Sequence, residues 1–277
     1  TSATSNVSYT FNLGRPVSLT QFATPYELQN RFRHDLGLYA QDQWAIKRLT
    51  LNLGLRYDYF NGYVPAQHVA ATSNGWLPER NFAAVPNVPL WKDLNPRVGG
   101  AYDVFGNGKT AIRAGFNKYM TAATTGFAQL YNPTALTSFT LPWTDTNGDD
   151  IAQGERGCTF GTAGCEINFS TLPANFGVRS LARFDTNLKR PYQLAFNVGG
   201  SHEVLPGIAV TAEWFHSSFK RMIARNNVAL SASDYTKVTI YNPVTGGTVD
   251  AYNLASAKAS AVDYLDSNDS KLSRRYD

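Results

Sequence analysis

The sequence predicts an all-β fold: an antiparallel transmembrane β-barrel portion, about seven strands of a larger barrel, with short periplasmic turns and long extracellular loops. Three observations predict it. Residues 36 to 60 alternate apolar and polar side chains along two long runs joined by almost nothing. The connections between candidate strands then alternate between very short and very long. Charged residues make up only 17% of the chain and aromatic residues 13%, against roughly 25% charged in soluble domains. No apolar run reaches about 18 residues, so the hydrophobic content is not gathered into a transmembrane helix. Alternation hides it instead.

In chain order, the first candidate strand covers 5–13 and the second and third cover 34–46 and 49–60. In the third, Leu49, Leu51, Leu53, Leu55, Tyr57 and Tyr59 point one way and Thr50, Asn52, Gly54, Arg56 and Asp58 the other, the period of two that gives a sheet one greasy and one polar face. Soluble strands usually have about 5–6 residues, whereas a tilted strand crossing a bilayer needs about 9–11. Lys47 and Arg48 alone separate the two strands. A two-residue turn sets Ile46 opposite Leu49, Trp44 opposite Leu51, Ala40 opposite Leu55 and Leu38 opposite Tyr57. It also sets Asp42 opposite Leu53, where a carboxylate is costly in lipid. A bulge, a longer turn or an interfacial position is expected there.

The fourth and fifth strands, 96–105 and 110–119, meet at Gly106-Asn107-Gly108, a hairpin signal. A three-residue loop over Asn107, Gly108 and Lys109 places Val104 opposite Ile112, Tyr102 opposite Ala114, and Asp103 against Arg113 as a charge pair in the lumen. The sixth and seventh strands, 190–204 and 208–217, meet at Leu205-Pro206-Gly207, with Val204 opposite Ile208 and Val198 opposite Trp214. The remaining segments, 14–33, 61–95, 120–189 and 218–277, read as long loops, and loops of that length normally carry function. Seven strands are an odd number for a bacterial barrel, and an open sheet leaves bare edges in lipid. The chain, which ends at Arg275-Tyr276-Asp277 in what reads as the start of another strand, is therefore expected to be a fragment of the barrel.

A net charge of +4 with scattered Lys and Arg lacks the basic clusters of a nucleic-acid binder. The first ten residues carry no signal-peptide pattern, so such a peptide was either removed or the chain is a piece of something longer. Asp145, Asn147, Asp149 and Glu155 offer oxygen ligands around Gly148, as a Ca²⁺ loop would. The spacing departs from the EF-hand, with Asp150 where the glycine belongs and Glu155 one position early. A solvated acidic turn is the other reading. Cys158 and Cys165, separated by a Gly-rich stretch, predict a disulfide in an oxidising compartment. Gly106 to Thr110 is not a phosphate loop, because Asp103 stands where that motif needs glycine and a strand follows. His34, His68, His202 and His216 show no metal-ligand spacing. Trp76, Trp91, Trp143, Phe127 and Tyr131 lie in the long loops, where they either stack on a ligand or pack the loops together.

Leu38-Tyr39-Ala40-Gln41-Asp42-Gln43-Trp44, followed by Leu49 to Asp58, resembles the "YAQDQW … LTLNLGLRYD" hairpin of TonB-dependent outer-membrane receptors, especially their Oar-like branch. Asn95 to Gly99, Ala111 to Phe116 and Leu188 to Tyr192 resemble later hairpins of the same barrels. The resemblance runs through most of the strands and leaves the long loops uncovered. It implies a barrel of roughly 22 strands around a plug, with energy coupling through TonB at a periplasmic contact; the plug and a TonB box are not among these residues. The expected function is capture of a small-molecule, glycan or peptide ligand by extracellular loops and import through the plugged barrel, in the outer membrane of a Gram-negative-type bacterium. The alternative is a passive porin-like or adhesin-like barrel without energy coupling. No serine motif or histidine pairing nominates a hydrolase, and no cofactor is required beyond the Ca²⁺ reading. The expected partners are outer-membrane lipid and the TonB complex, not nucleic acid. A soluble β-sandwich rarely needs so many long strands of consistent parity.

Overall fold

A computed structural model describes residues 6–72 and 74–274. Ser5, where the first expected strand begins, and Arg275-Tyr276-Asp277 lie outside the described residues. The first strands are β1 (Val7–Asn12), β2 (Arg15–Phe22), β3 (Arg31–Ile46) and β4 (Leu49–Tyr63). After the short β5 (Gln67–Val69) and β6 (Arg80–Phe82) come β7 (Leu90–Asp103) and β8 (Thr110–Met120). The helix α1 (Thr125–Gln129), β9 (Ser138–Pro142) and β10 (Arg183–Phe184) lead to β11 (Tyr192–Leu205) and β12 (Ile208–Lys220). The chain continues through β13 (Ile223–Asn227), β14 (Tyr235–Tyr241), β15 (Thr248–Leu254), β16 (Tyr264–Asn268) and α2 (Ser270–Arg274). It divides into two compact units, one of residues 1–33, 61–89 and 124–181, the other of residues 34–60, 90–123 and 182–277.

The second unit contains the wall. Six strands lie in the order β12-β11-β8-β7-β4-β3, so six of the seven expected strands form one sheet. The exception is the first. β1 pairs with β2, and β2 with β9, in a separate three-stranded sheet. Alternation marked β1 as a strand but said nothing of which sheet it would join. The wall strands run 11 to 16 residues, and several extend past their expected ends because the alternation continues into Arg31–Arg33, Asn61–Tyr63 and Leu90–Asn95. The sheet is open among the described residues, with β3 and β12 at its edges. The segments expected to be loops also hold strands of their own, including the exposed β14–β15 hairpin and the β10-β16-β13 sheet.

Register follows parity more closely than it follows the expected partners. Val198 opposes Trp214 as expected. At the β11–β12 turn, however, Leu205 opposes Ile208 and the register shifts between Glu203 and Leu205, so Val204 occupies a bulge. In the β7–β8 hairpin Tyr102 opposes Ile112 and Asp103 opposes Ala111. That is a slip of two residues from the expected pairing, which leaves every side chain on its face but changes its neighbour. The cause is the turn: Val104 donates its amide to the Thr110 carbonyl at 2.9 Å, and the intervening residues form a longer loop than three. The expected Asp103–Arg113 pair is therefore not made. Asp103 instead accepts the amides of Gly106 and Gly108 at 2.9 and 2.8 Å, closing the turn from inside.

The β3–β4 turn has two residues, as its sequence required, with Lys47 at φ 54°. Asp42 is satisfied without lengthening it. Its carboxylate accepts the indole N–H of Trp44 at 2.5 Å and the Gln43 amide at 2.8 Å. Outward side chains form rows across the sheet: Trp214, Val198 and Ala114 make one, and Phe196, Phe116 and Val98 another. Phe116 and Phe196 meet with ring centroids 5.0 Å apart. Trp214, Val198, Ile112 and Leu38 are exposed, an apolar face of the kind that lipid covers.

The first unit has an ordinary buried core. Leu19 of β2 and Leu141 of β9, which are direct partners, are both fully buried and pack with Trp76, Trp143, Ile167, Phe169 and Phe176. A bridge between Trp143 and Ile167 ties the two sides of the segment after β9. These long segments fold because they bury enough apolar surface to offset their ordering entropy.

Candidate functional site

The inner face of the wall carries its polar chemistry. Gln41, Asn52, Arg97, Arg113, Asn117 and Asn197 line a cleft of about 640 Å³ over β3, β4, β7, β8 and β11. They meet because β7 Arg97 opposes β8 Asn117, and β8 Gly115 opposes β11 Asn197. Arg97 lies over the Tyr119 ring with its guanidinium carbon 5.0 Å from the centroid. Toward the far end of the strands, Arg56 donates to Asp58 at 2.8 Å and Asn95 to the other oxygen of Asp58 at 2.6 Å. Such a surface offers paired and unpaired hydrogen-bonding groups in fixed positions, suited to passage or recognition of a polar solute.

Arg113 does find a carboxylate, but it is Glu213 of β12. The two are not on adjacent strands. Arg113 opposes Gly199 of β11, and Gly199 opposes Glu213, so the ion pair passes over a glycine. A Cβ at Gly199 would collide with the Glu213 side chain and stand 2.7 Å from the Ala212 carbonyl oxygen. Glycine is required here by close approach. Sequence reasoning missed Glu213 because the β8–β11 pairing spans the long 120–189 segment, and no turn fixes its register.

The acidic segment assembles differently from the expected set. Ligand atoms of Asp145, Asp149 and Glu166 converge within 4.8 Å of one another, with Glu166 fully buried. Glu155 is exposed and outside the cluster. Asn147 donates to Asp149 at 2.9 Å rather than presenting an oxygen with it. The loop supplies donors to these carboxylates itself. Asp145 accepts the amides of Asp150 and Gly148, which hold its carboxyl below the usual range. Asp149 accepts from Ile151 and Gln153. Glu166 accepts the Thr146 amide and hydroxyl at 2.7 and 2.8 Å and the Gln153 amide at 3.3 Å. Hydrogen bonds of the segment account for the convergence, and the acidic-turn reading fits them. Glu166 carried no local sequence signal, since it lies 20 residues from Thr146 and arrives through the strand bridge at Trp143.

Cys158 and Cys165 are joined, with Cα atoms 5.9 Å apart, as expected. The tryptophans read as either stacking platforms or loop-packing residues are interior: Trp76 and Trp91 are each 5% exposed and Trp143 2%. Trp76 donates its indole N–H to the Gly154 carbonyl at 2.9 Å and stands edge-on to Phe169. Trp91 donates to the Leu188 carbonyl at 3.0 Å. Tyr131 is also buried and packs against Phe127. These aromatics hold their segments together, and ligand stacking is not available to the three tryptophans as placed. The histidines stay apart. His68 contacts Asn81, His202 contacts Thr110, His34 stacks on Tyr59 and His216 stacks on Trp214.

Residues 1–272 match the family described as "Outer membrane beta barrel domain". The chain belongs to this family. The barrel domain thus resides in the outer membrane of a Gram-negative bacterium, and its apolar row-forming face is the lipid face. No curated protein matches the chain. Family membership also gives the two faces of the wall their orientation: the leucines of β4 face lipid, and the Arg97–Arg113 surface faces the lumen.

Proposed function

We propose that the protein is part of a TonB-dependent transporter of the outer membrane, which captures a ligand outside the cell and imports it through a plugged barrel. The β3–β4 hairpin carries this reading: its sequence, Leu38 to Asp58, resembles the receptors of that class, and it folds as the expected two-residue-turn pair of long strands. Two further features support it. Among the described residues the wall is a six-stranded open sheet with β3 and β12 at its edges, and an open edge in lipid needs a partner strand. The long connecting segments form a unit with its own core, as a built capture surface would need. Coupling would run through TonB and a plug, and the ligand would be a small molecule, a glycan or a peptide.

The test compares two behaviours of the full-length protein. Uptake dependent on this protein should stop in cells lacking TonB, and the purified protein in planar bilayers should show no large resting conductance because a plug fills the lumen. Uptake that continues without TonB, together with a steady open conductance, would establish the passive porin-like reading instead.

A further inference from the structure

The β14–β15 hairpin is a sheet of two strands with no strand beside it. The seven residues of β14 pair with the seven of β15, from Tyr235 opposite Leu254 to Tyr241 opposite Thr248. Among the described residues no third strand pairs with either. A lone two-stranded hairpin is marginal in water, and a third strand or a packed face normally secures one. Here both faces are open to solvent: Ile240 and Val249 are exposed on one, Tyr241 and Tyr252 on the other. The hairpin lies in the segment after β12, which leaves the wall at the end away from the β11–β12 turn. Tight turns face the periplasm in this class of barrel, so the segment is on the outer side.

The free edge of β14 can be read residue by residue. Antiparallel partners alternate between pairs that exchange backbone bonds and pairs that do not. Asn242 donates its amide to the Gly247 carbonyl at 2.8 Å, and Ala255 to the Asp234 carbonyl at 2.9 Å. That phase puts Ile240–Val249, Val238–Ala251 and Thr236–Asn253 in the bonded set. Lys237, Thr239 and Tyr241 therefore turn their N–H and C=O groups away from β15, and among the described residues those groups meet no backbone partner. Bare edges are usually blunted by a proline, a bulge or a charge. β14 has no proline, its register runs without a shift, and its Lys237 ammonium is held by Asp250 at 2.8 Å.

We infer that the β14 edge is a docking site for an extended peptide, which adds to the hairpin as a third strand. A ladder of N–H and C=O groups at strand spacing is matched by another polypeptide backbone. Alternate residues of the added strand lie beside Val238 and Ile240 on one face and beside Tyr235 and Tyr241 on the other, where cross-strand contacts complete the fit. A second copy of the hairpin is a poorer occupant. Two such edges run side by side for only about 24 Å and bury far less than the roughly 1,200–2,000 Å² of a stable pair. The site selects a peptide among the ligands of the proposed transporter, and to that extent it rests on the reading of the outer segments as a capture surface.

The test uses the full-length protein in nonionic detergent, hydrogen exchange across 235–241, and a synthetic heptapeptide alternating threonine and valine. A second peptide of the same sequence is N-methylated at every residue and has no ladder donors. The first peptide at millimolar concentration should slow exchange at Lys237, Thr239 and Tyr241, and the methylated one should leave it unchanged. Thr239→Pro removes the central outward donor, which serves no bond within the hairpin; it should weaken peptide binding by at least about tenfold. Persisting protection of the Val238 and Ile240 amides reports that the variant hairpin is formed; if it is not, the two peptides on the wild type decide. Equal protection by both peptides, or none by either, overturns the proposal. So does a doubled mass by light scattering that Thr239→Pro abolishes, which would make a second copy the occupant. The measurement needs no TonB, so its failure is separate from a failure of energy coupling.

Discussion

Replacing Trp76 by alanine separates a packing role from a ligand platform. The side chain is 5% exposed, donates to the Gly154 carbonyl at 2.9 Å and meets Phe169 edge-on at 5.6 Å. Truncating a buried tryptophan typically costs about 3–5 kcal/mol through lost transfer energy and a residual cavity. Within that figure the edge-on contact contributes about 0.5–1.5 kcal/mol and the orphaned carbonyl about 1–3 kcal/mol. Trp76→Phe keeps a ring and loses the donor, so only the orphaned-carbonyl cost of about 1–3 kcal/mol is expected. The assay is limited proteolysis of the intact protein in vesicles. If opening is fast relative to cleavage, the rate follows the open population, and 3–5 kcal/mol becomes roughly two to four orders of magnitude faster cutting in residues 138–176. Wall strands should stay protected. Cleavage at the wild-type rate, combined with loss of ligand capture, would refute the packing argument and restore Trp76 as a recognition surface.

Three further outcomes follow from the same geometry. Glu166→Gln places an amide N–H against donors from Thr146 and Gln153, so the acidic segment should lose about 1–3 kcal/mol, read by hydrogen exchange at 144–153, while millimolar calcium leaves the wild-type exchange unchanged. Thiol labelling of the unreduced protein should modify neither Cys158 nor Cys165, and replacing both by serine should cost the segment about 2–3 kcal/mol; rapid labelling would contradict the bond. The Arg183 guanidinium holds the Asp263 carboxyl below its usual range. A lowered carboxyl stabilises the fold above its ordinary range and ceases to do so as pH falls through the lowered value, so exchange at 183–184 and 264–268 should quicken below about pH 4, and Asp263→Asn should abolish that dependence.

How far the sequence reached depends on which physical constraint it could express. Parity is local, so Val198 against Trp214 and the two-residue turn at Lys47 and Arg48 were legible. Registers are set by turn geometry, and the β7–β8 turn holds more residues than its Gly106-Asn107-Gly108 centre suggested. That is why Asp103 faces Ala111 and not Arg113. β1 alternates as a wall strand does, yet pairs inside the other unit, because alternation reports a two-faced sheet and not its address. The tryptophans were visible as aromatics in long segments, but whether such a ring meets ligand or neighbour is decided by contacts far apart in sequence, such as Trp76 with Gly154. Glu166 and Glu213 were illegible for the same reason.

The glycine beneath the Arg113–Glu213 pair has a consequence for assembly. A bond from β8 to β12 across β11 reports on two pairings at once, since it forms only when both neighbouring strands have settled on Gly199. A slip of β11 by one residue would bring Val198 or Gly200 into line and turn the whole strand over. A slip by two would keep the faces correct but bring Asn197 or Ser201 under the charges, and a side chain would then separate them. Parity alone cannot detect that second error, because every leucine would still face lipid. The ion pair can. A barrel strand entering the membrane thus carries, on its lumen side, a single position that distinguishes the right register from the nearest one that hydrophobicity would accept.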